Sequence, residues 1–410
     1  MLIKTSLNDI IYMCFKLIKW GDSMMDFNYS NPTKIFFGKN KLKVLPEQIK
    51  RYGSKVLLVY GGGSIKRNGI YDNIVKLLKD NSIDFWELSG VEPNPRITTV
   101  RKGIDICRKN NIELVLAVGG GSTIDCSKVV AAGFYYEKDP WNIVKAPYRI
   151  KKVLPVASVL TIAATGSEMD TFAVITNMDT NEKLGTGHPD MAPVFSILDP
   201  TYTFTVPKNQ TAAGTADIMS HTFEDYFSKP DSAFLQNKIS EAILKTCINY
   251  GKKALDKPDD YEARANLMWA SSLAIDGLAS YGKDANWCVH PMEHELSAFY
   301  DITHGVGLAI LTPVWMKYIL DESTVDKFVE YGINVWEIDA SKDKYDIANM
   351  AIDKTREFFN LLGIPSKLTE VGIGEDRLEI MAQGAVRYGK IGGIRKLDKD
   401  DVLNIYKAAL

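Results

Sequence analysis

Five side chains that commonly bind metals lie close together in this chain of 410 residues. Asp217 precedes His221 by four positions, and His290 precedes His294 by the same interval; His304 follows. Residues four positions apart lie on one face of a helix. Three imidazole nitrogens and one carboxylate oxygen suit a divalent metal. The spacing therefore predicts one metal site without deciding which of the histidines are ligands.

Each of these residues alone has a simpler interpretation, as a surface group or a hydrogen-bonded core residue. However, the chain has 5 histidines, and all but one of them lie within residues 217–304. This concentration favours a shared site. A zinc motif of the HExxH type is excluded, because the stretch that begins at His294 reaches Ala298 where the second histidine would stand.

Two Gly-Gly-Gly-Ser sequences, at 61–64 and 119–122, each follow an apolar stretch and precede a predicted helix. Glycine lets the backbone approach a ligand closely, and a helix N-terminus offers free N–H groups to an anion. One such turn alone indicates only a tight strand-to-helix connection, and neither matches GxGxxG or a P-loop. Together they predict a dinucleotide site, with one turn near the adenosine ribose and the other beneath the pyrophosphate.

The charges near the first turn predict which dinucleotide is used. Sites that prefer NAD usually place an acidic residue where the ribose 2′-hydroxyl binds. The stretch KVLLVY is followed by glycines, Ser64, Lys66 and Arg67, with no acidic residue. A hydroxyl, exposed amides and cations suit a 2′-phosphate, so we predict a preference for NADP(H) over NAD(H).

Alternating strands and helices in the first half of the chain predict a doubly wound, parallel α/β sheet. The predicted strands lie within 33–38, 55–64, 85–90, 112–122, 151–159 and 193–200, and the predicted helices at about 68–79, at 98–109 and from 123 onwards. Helical periodicity then dominates, at 211–228, 232–254, 259–280, 287–299, 305–320, 323–335, 345–362, 375–387 and 398–410. We therefore place a dinucleotide-binding α/β domain at 25–206 and a helical, metal-binding domain at 207–410.

Composition excludes several classes of partner. The formal net charge is −2 and no block of like charge occurs, which argues against nucleic acid and anionic membranes as partners. The 5 cysteines form no CxxC motif, which is typical of free thiols in a reducing cytoplasm.

Residues 1–24 form an N-terminal extension with two interpretations. The segment has no apolar run long enough to span a bilayer and no small-residue cleavage site. It is either an amphipathic helix or upstream sequence read from too early a start. We favour the second interpretation, with Met24 or Met25 as the true first residue.

Several segments, taken in order, resemble the group III, iron-dependent alcohol dehydrogenases, in particular the butanol dehydrogenase-like branch of NADPH-dependent aldehyde reductases. They are NPTKIFFGK, VYGGGSIK, GVEPNP, LAVGGGSTIDCSK, TIAATGSEMDTFAVIT, ILDPTYTFTVP, GTADIMSHTFEDY and WCVHPMEHELSAFYDITHG. The resemblance covers roughly residues 27–410. It implies an α/β N-terminal dinucleotide-binding domain plus an all-α C-terminal domain in a dehydroquinate synthase-like architecture, with the active site in the cleft between them.

The resemblance also implies roles for individual residues. The family's metal ligands fall on Asp217, His221, His290 and His304, which leaves His294 one turn away from His290. Its cofactor contacts fall on Gly62, Gly63, Ser64, Asn94, Gly120, Gly121, Ser122, Asp125, Thr161, Thr165 and Lys183. From the residues alone, Thr161, Thr165 and Lys183 are ordinary polar loop residues, and Asp125 also complements a helix dipole.

The expected reaction is a hydride transfer between the nicotinamide and a small-molecule alcohol or aldehyde, with Fe(II) or Zn(II) as the Lewis acid. His294 is the candidate proton relay, since imidazole titrates near neutral pH; the alternative is that it only orients a ligand.

Trp287 and Phe172 favour a small apolar substrate. The branch implies short- to medium-chain primary alcohols and aldehydes, with aldehyde reduction as the direction when NADPH is used. We also expect a homodimer in which the first strands pair.

Three alternatives stay open. A polyol dehydrogenase or a dehydroquinate synthase-type enzyme would share the architecture, but the second needs Lys and Arg around the metal, and none lies within four residues of a proposed ligand. A metal-dependent hydrolase would leave both glycine turns unexplained. A non-catalytic nucleotide-binding module would have no use for four ligand-type residues.

Overall fold

A six-stranded parallel sheet organises the first half of the structure, a computed structural model that describes residues 23–229 and 231–410. The strands are β1 (Lys34–Phe37), β2 (Lys55–Tyr60), β3 (Asp84–Leu88), β4 (Leu114–Gly119), β5 (Val156–Leu160), β6 (Phe172–Asn177), β7 (Glu182–Gly187) and β8 (Phe195–Leu198). The order in the sheet is β1-β8-β5-β4-β2-β3. All of its pairings are parallel, so the carboxyl ends of β2 and β4 lie side by side.

The central strands read as continuous apolar runs because helices cover both faces of the sheet. In β2, Leu57 and Val59 pack into one core, and Val56 and Leu58 into the core on the opposite face. The covering helices are α1 (Leu45–Ile49), α2 (Ser64–Arg67), α3 (Ile70–Asp80), α4 (Ile97–Asn110), α5 (Gly121–Gly133) and α6 (Trp141–Lys145).

The second half of the described chain is helical. Its helices are α7 (Lys208–Tyr226), α8 (Phe234–Asp256), α9 (Tyr261–Leu273), α10 (Val289–Tyr300), α11 (His304–Ile319), α12 (Val325–Trp336), α13 (Lys344–Leu361), α14 (Leu378–Ala385) and α15 (Lys399–Ala408). Short 3-10 turns lie at Lys41–Val44, Pro147–Arg149, Pro189–Met191, Pro200–Thr203 and Leu368–Val371. The helices enclose one large apolar core. The predicted fold class, an α/β domain followed by a helical region, is confirmed.

Two local predictions differ from the structure. The helix expected over 259–280 ends at Leu273, and Gly277 adopts φ +99°, a left-handed backbone that helical residues do not take. The antiparallel hairpin β6–β7 is missing from the sequence prediction. β7 contains two glycines in six residues, which weakens any strand pattern.

Residues 1–22 contain most of the predicted N-terminal extension and lie outside the described residues. Within the described ranges, Cys107, Cys126, Cys247 and Cys288 are buried free thiols, as predicted. None of the helices in that part of the chain combines the length and apolar character that a membrane span requires.

Candidate functional site

The side chains predicted to bind a metal meet where three helices converge. Asp217 lies on α7, His290 on the first turn of α10, and His304 is the first residue of α11. The carboxylate Oδ1 of Asp217 lies 3.9 Å from Nε2 of His290 and 3.7 Å from Nε2 of His304. Ligand atoms of these three residues all lie within 4.8 Å of one another. His221, one turn after Asp217, places Nδ1 3.7 Å from the same oxygen.

Two glycines allow this convergence. A Cβ at Gly305, beside His304, would collide with the carbonyl oxygen of Ala213 on α7. Glycine therefore lets the first turn of α11 touch the backbone of α7. A Cβ at Gly214 would collide in the same way with the carbonyl oxygen of Ala163, so the helix that carries Asp217 packs directly on the loop after β5.

The donor atoms at this point fit a metal ion. Asp217 Oδ1, His221 Nδ1 and His290 Nε2 are buried and have no hydrogen-bond partner among the described residues. A buried polar atom without a partner is costly. Three such atoms around one point, all of ligand type, are accounted for if a divalent cation binds between them.

Two glutamates that the sequence analysis did not single out orient the histidines. Glu224 Oε1 lies 3.1 Å from Nδ1 of His290, and the same carboxylate accepts the backbone N–H groups of Cys288 (2.7 Å) and His290 (3.0 Å). Glu293 Oε2 contacts Nδ1 of His304. Each contact turns Nε2 towards Asp217, as carboxylates beside metal-bound histidines do. The sequence did offer a signal for these glutamates. Glu224 follows His221 by three positions, and Glu293 follows His290 by three, a spacing that places each glutamate on the same helix face as a predicted ligand.

The electrostatics match a cation site. Burial opposes ionisation of Asp217, but the three surrounding imidazoles outweigh it and hold the pKa of this carboxyl well below its usual range. Burial lowers the pKa of His221 to about 3. The pKa of His290 is raised to about 9, because the nearby carboxylates of Asp217 and Glu224 outweigh the effect of burial. The centre therefore carries an anionic carboxylate among the imidazoles.

His294 lies beside this centre, and one of its ring nitrogens lies within 4.8 Å of ligand atoms of Glu293 and His304. Its ring centroid is 5.7 Å from that of His304 and 6.4 Å from that of His290. Burial lowers the pKa of His294 well below its ordinary value, and the nearby positive charge of Lys183 adds to this effect. These effects favour the neutral form of the ring.

A cavity of about 300 Å³ opens next to His294. Trp287, Pro291 and Ala385 supply apolar wall, and Lys183 and Arg387 supply charge. Arg387 is neutralised by contacts with Glu295 and Glu182. Trp287 also packs on the imidazole of His290, with centroids 4.6 Å apart. Phe172, expected near the cleft, is 60% exposed and does not line the cavity.

The two glycine turns lie at the carboxyl ends of β2 and β4, on the same edge of the sheet. The candidates of the first turn are Gly62, Gly63 and Ser64, and those of the second are Gly120, Gly121 and Ser122. A Cβ at Gly62 would meet nothing within 4 Å, so this turn faces open space. Cβ atoms at Gly120 and Gly121 would collide with Ile162 and Thr165. The loop that contains Thr161 and Thr165 thus closes over the start of α5.

The remaining cofactor candidates make contacts within the protein. The Asn94 amide donates to Asp301 Oδ1 at 2.8 Å and to the Ile302 carbonyl at 3.3 Å, which ties the α/β domain to the turn before α11. Asp125 accepts from the Ser167 hydroxyl at 2.6 Å and the Val174 backbone at 2.8 Å. Their contacts with a dinucleotide, like those of the glycine turns, Thr161, Thr165 and Lys183, stay predictions.

An acidic residue does lie near the first turn, on the neighbouring strand. Glu87 of β3 accepts hydrogen bonds from the hydroxyls of Tyr60 (2.5 Å) and Tyr71 (2.8 Å). The ammonium of Lys66 lies over both tyrosine rings, 5.0 and 4.5 Å from their centroids. The positive charge of Lys66, which follows β2, is therefore partly compensated by the two tyrosine rings and Glu87. A search limited to the residues after β2 could not reveal Glu87.

Comparison with known proteins identifies related sequences along almost the whole chain. The profile described as iron-containing alcohol dehydrogenase matches residues 32–200, and its C-terminal counterpart matches residues 211–410. The NADH-dependent butanol dehydrogenase A of Clostridium acetobutylicum is 70% identical over 94% of this chain and 99% of its own. The NADPH-dependent aldehyde reductase YqhD of Escherichia coli is 37% identical over 94% of this chain and 100% of its own.

Solved structures agree with these sequence matches. The crystal structure of the Thermotoga maritima NADH-dependent butanol dehydrogenase A superposes with a TM-score of 0.90 at 39% identity, and covers 94% of this chain and 99% of its own.

Proposed function

This chain belongs to the iron-containing alcohol dehydrogenase family, and we propose that it interconverts short- to medium-chain primary alcohols and aldehydes, as a butanol dehydrogenase-like enzyme. The observation that carries this proposal is the convergence of Asp217, His290 and His304 next to an apolar-walled cavity. Relatives named for butanol and for aldehydes support the substrate class. With NADPH, aldehyde reduction is the expected direction.

In this proposal Asp217, His221, His290 and His304 hold one divalent metal, Fe(II) or Zn(II). When bound, the metal supplies Lewis acidity towards the substrate oxygen, and the nicotinamide supplies or accepts the hydride. Zinc competes strongly at equal availability, so the family name alone does not decide the metal.

The protein's own side chains perform the rest. Glu224 and Glu293 fix the ring orientations of His290 and His304. Trp287 covers the buried imidazoles and keeps water from them. Neutral His294, at the cavity wall, accepts the proton that alcohol oxidation releases and returns it in aldehyde reduction.

We infer that the two domains have different roles. Residues 25–206 bind the dinucleotide at the carboxyl edge of the sheet, and residues 207–410 hold the metal.

Two copies are proposed to form a dimer through β1. This strand stands at one edge of the six-stranded sheet, and its outer side pairs with no other described strand. An edge strand with unpaired backbone groups readily pairs with a second chain. Light scattering that gives only the monomer mass over a wide concentration range would exclude the dimer.

The choice of dinucleotide has two candidates. Ser64 and exposed Arg67, beside an open glycine turn, favour the 2′-phosphate of NADP(H). Glu87, which compensates Lys66, favours NAD(H) instead, as does the similarity to an NADH-dependent butanol dehydrogenase at 70% identity. NADP(H) preference, the prediction from sequence, is the proposal under test.

The deciding experiment follows oxidation of NADPH, and separately of NADH, with butanal. The protein is first stripped of metal with a chelator and then refilled with Fe(II) or Zn(II). We expect turnover only after a metal has been restored. The metal that gives the higher activity is the better candidate for the native one. Turnover that survives complete metal removal would refute the proposed chemistry. Metal-dependent turnover that prefers NADH would refute only the NADP(H) preference.

A further inference from the structure

Glu293 is a fully buried carboxylate that contacts two side chains from different parts of the fold, the imidazole of His304 and the ammonium of Lys183. Its Oε2 contacts Nδ1 of His304, and the same oxygen lies 3.3 Å from the ammonium of Lys183 on β7. Its Oε1 accepts the hydroxyl of Ser297, one turn later on α10. A Cβ at Gly307 of α11 would lie 2.8 Å from the Glu293 side chain, so glycine there makes room for it.

These contacts bring a cation and a candidate metal ligand close together. The Lys183 ammonium lies 3.3 Å from Nδ1 of His304 and is buried. A buried ammonium beside an imidazole that holds a divalent cation would be repelled strongly, because water does not screen the interaction. The Glu293 charge between them offsets that repulsion.

We propose that Glu293 is a positioning residue shared by the metal and the dinucleotide, so that binding of one favours binding of the other through this carboxylate. The inference rests on the proposed function, in which His304 holds the metal and Lys183 contacts the dinucleotide. Metal binding fixes His304, His304 fixes Glu293, and Glu293 fixes Lys183. Binding couplings of this kind are reciprocal.

Glu224 provides the matched control. It orients His290 through Nδ1 as Glu293 orients His304, and it is also buried. Among the described residues, however, its hydrogen bonds go to Cys288 and His290 alone. Replacing either glutamate by glutamine should weaken metal binding about 10- to 100-fold, the usual effect of removing such a partner. Only the replacement of Glu293 should change how metal and dinucleotide influence each other.

The experiment measures dissociation constants, not turnover. NADH and NADPH binding is followed by nucleotide fluorescence, in protein stripped of metal and in protein saturated with Zn(II). Metal binding is followed by competition with a chromophoric chelator. The coupling is the ratio of the dinucleotide dissociation constant without metal to that with metal. We expect a ratio above one in the unaltered protein and in Glu224→Gln, and a ratio about tenfold lower in Glu293→Gln.

Lys183→Met gives a second readout that does not depend on the buried carboxylate. It should lose the coupling without weakening metal binding, since the contact of Glu293 with His304 remains and the ammonium that repels the cation is gone. The inference is overturned if Glu293→Gln or Lys183→Met keeps the original ratio, or if Glu224→Gln loses it equally. A protein that binds no metal or no dinucleotide at all would instead refute the proposed function.

Discussion

Asp217 and His304, far apart in the chain, present their side chains to the same point: carboxylate Oδ1 and imidazole Nε2 are 3.7 Å apart. The contact joins the middle of α7 to the first residue of α11, and Gly305 permits it by letting the two helices touch. Oδ1 of Asp217 is buried and has no hydrogen bond among the described residues. A carboxylate in that situation is poised for a cation.

Asp217→Asn should therefore abolish tight metal binding. The amide keeps the size of the side chain but removes the negative charge that faces three imidazoles. We expect metal affinity to fall at least about 100-fold, beyond the effect of losing an orienting partner. Elemental analysis after dialysis and chelator competition measure this directly. Asp105→Asn, an exposed change on α4, is the control. Full metal content in the Asp217 variant would show that the ligand set is wrong.

His294→Gln separates a proton relay from a metal ligand. The ring lies beside the metal centre and at the cavity wall, so we expect kcat to fall about 100-fold, a typical loss for a general acid–base group. Metal content should be unchanged. The pH dependence of kcat should also lose one ionisation. If the metal is lost together with activity, His294 is a ligand; if kcat is unaffected, it only supports the structure.

Arg67→Ala tests the choice of dinucleotide. Arg67 is exposed next to Gly63, whereas Lys66 lies over two tyrosine rings near Glu87. Loss of a charged contact to a 2′-phosphate should raise KM for NADPH about tenfold, the equivalent of 1.4 kcal/mol. KM for NADH should stay within about twofold. Equal effects on both dinucleotides would exclude Arg67 from the recognition of the phosphate.

Ala385→Phe should restrict the enzyme to substrates with shorter chains. Ala385 lines the cavity beside His294, and a phenyl ring there removes space that longer chains need. We expect kcat/KM to fall by roughly 10-fold or more for hexanal, within the usual range for one pocket contact, and much less for acetaldehyde. Ile380→Phe, at a position 56% exposed on the same helix, controls for general effects on α14. Equal losses for all chain lengths would mean that this cavity does not hold the substrate.

The sequence revealed the fold class well because the central strands are buried on both faces and read as uninterrupted apolar runs. It was less informative where contacts depend on packing. The hairpin β6–β7 was missed, and with it the approach of Lys183 to His304. Glu224 and Glu293 had a usable signal, their spacing of three from predicted ligands. Glu87 had none, because its proximity to the first glycine turn arises only from the pairing of β2 with β3.

Glu168 predicts how stability depends on pH. This fully buried carboxyl accepts from the Ser272 hydroxyl at 2.5 Å, and burial raises its pKa to about 7. In the unfolded chain the group titrates near 4.5. Between these values the folded protein binds more protons than the unfolded chain, so its free energy of unfolding falls as pH rises.

Glu168→Gln removes that ionisation, and the variant should gain stability relative to the unaltered protein as pH rises from 4.5 to 7. The relative gain is on the order of 3 kcal/mol across the window. Urea unfolding at several pH values measures it, and Glu47→Gln, an exposed change on α1, is the control. If the difference in unfolding free energy between the two proteins does not change with pH, Glu168 is ionised in the folded protein, and a cation or solvent reaches it.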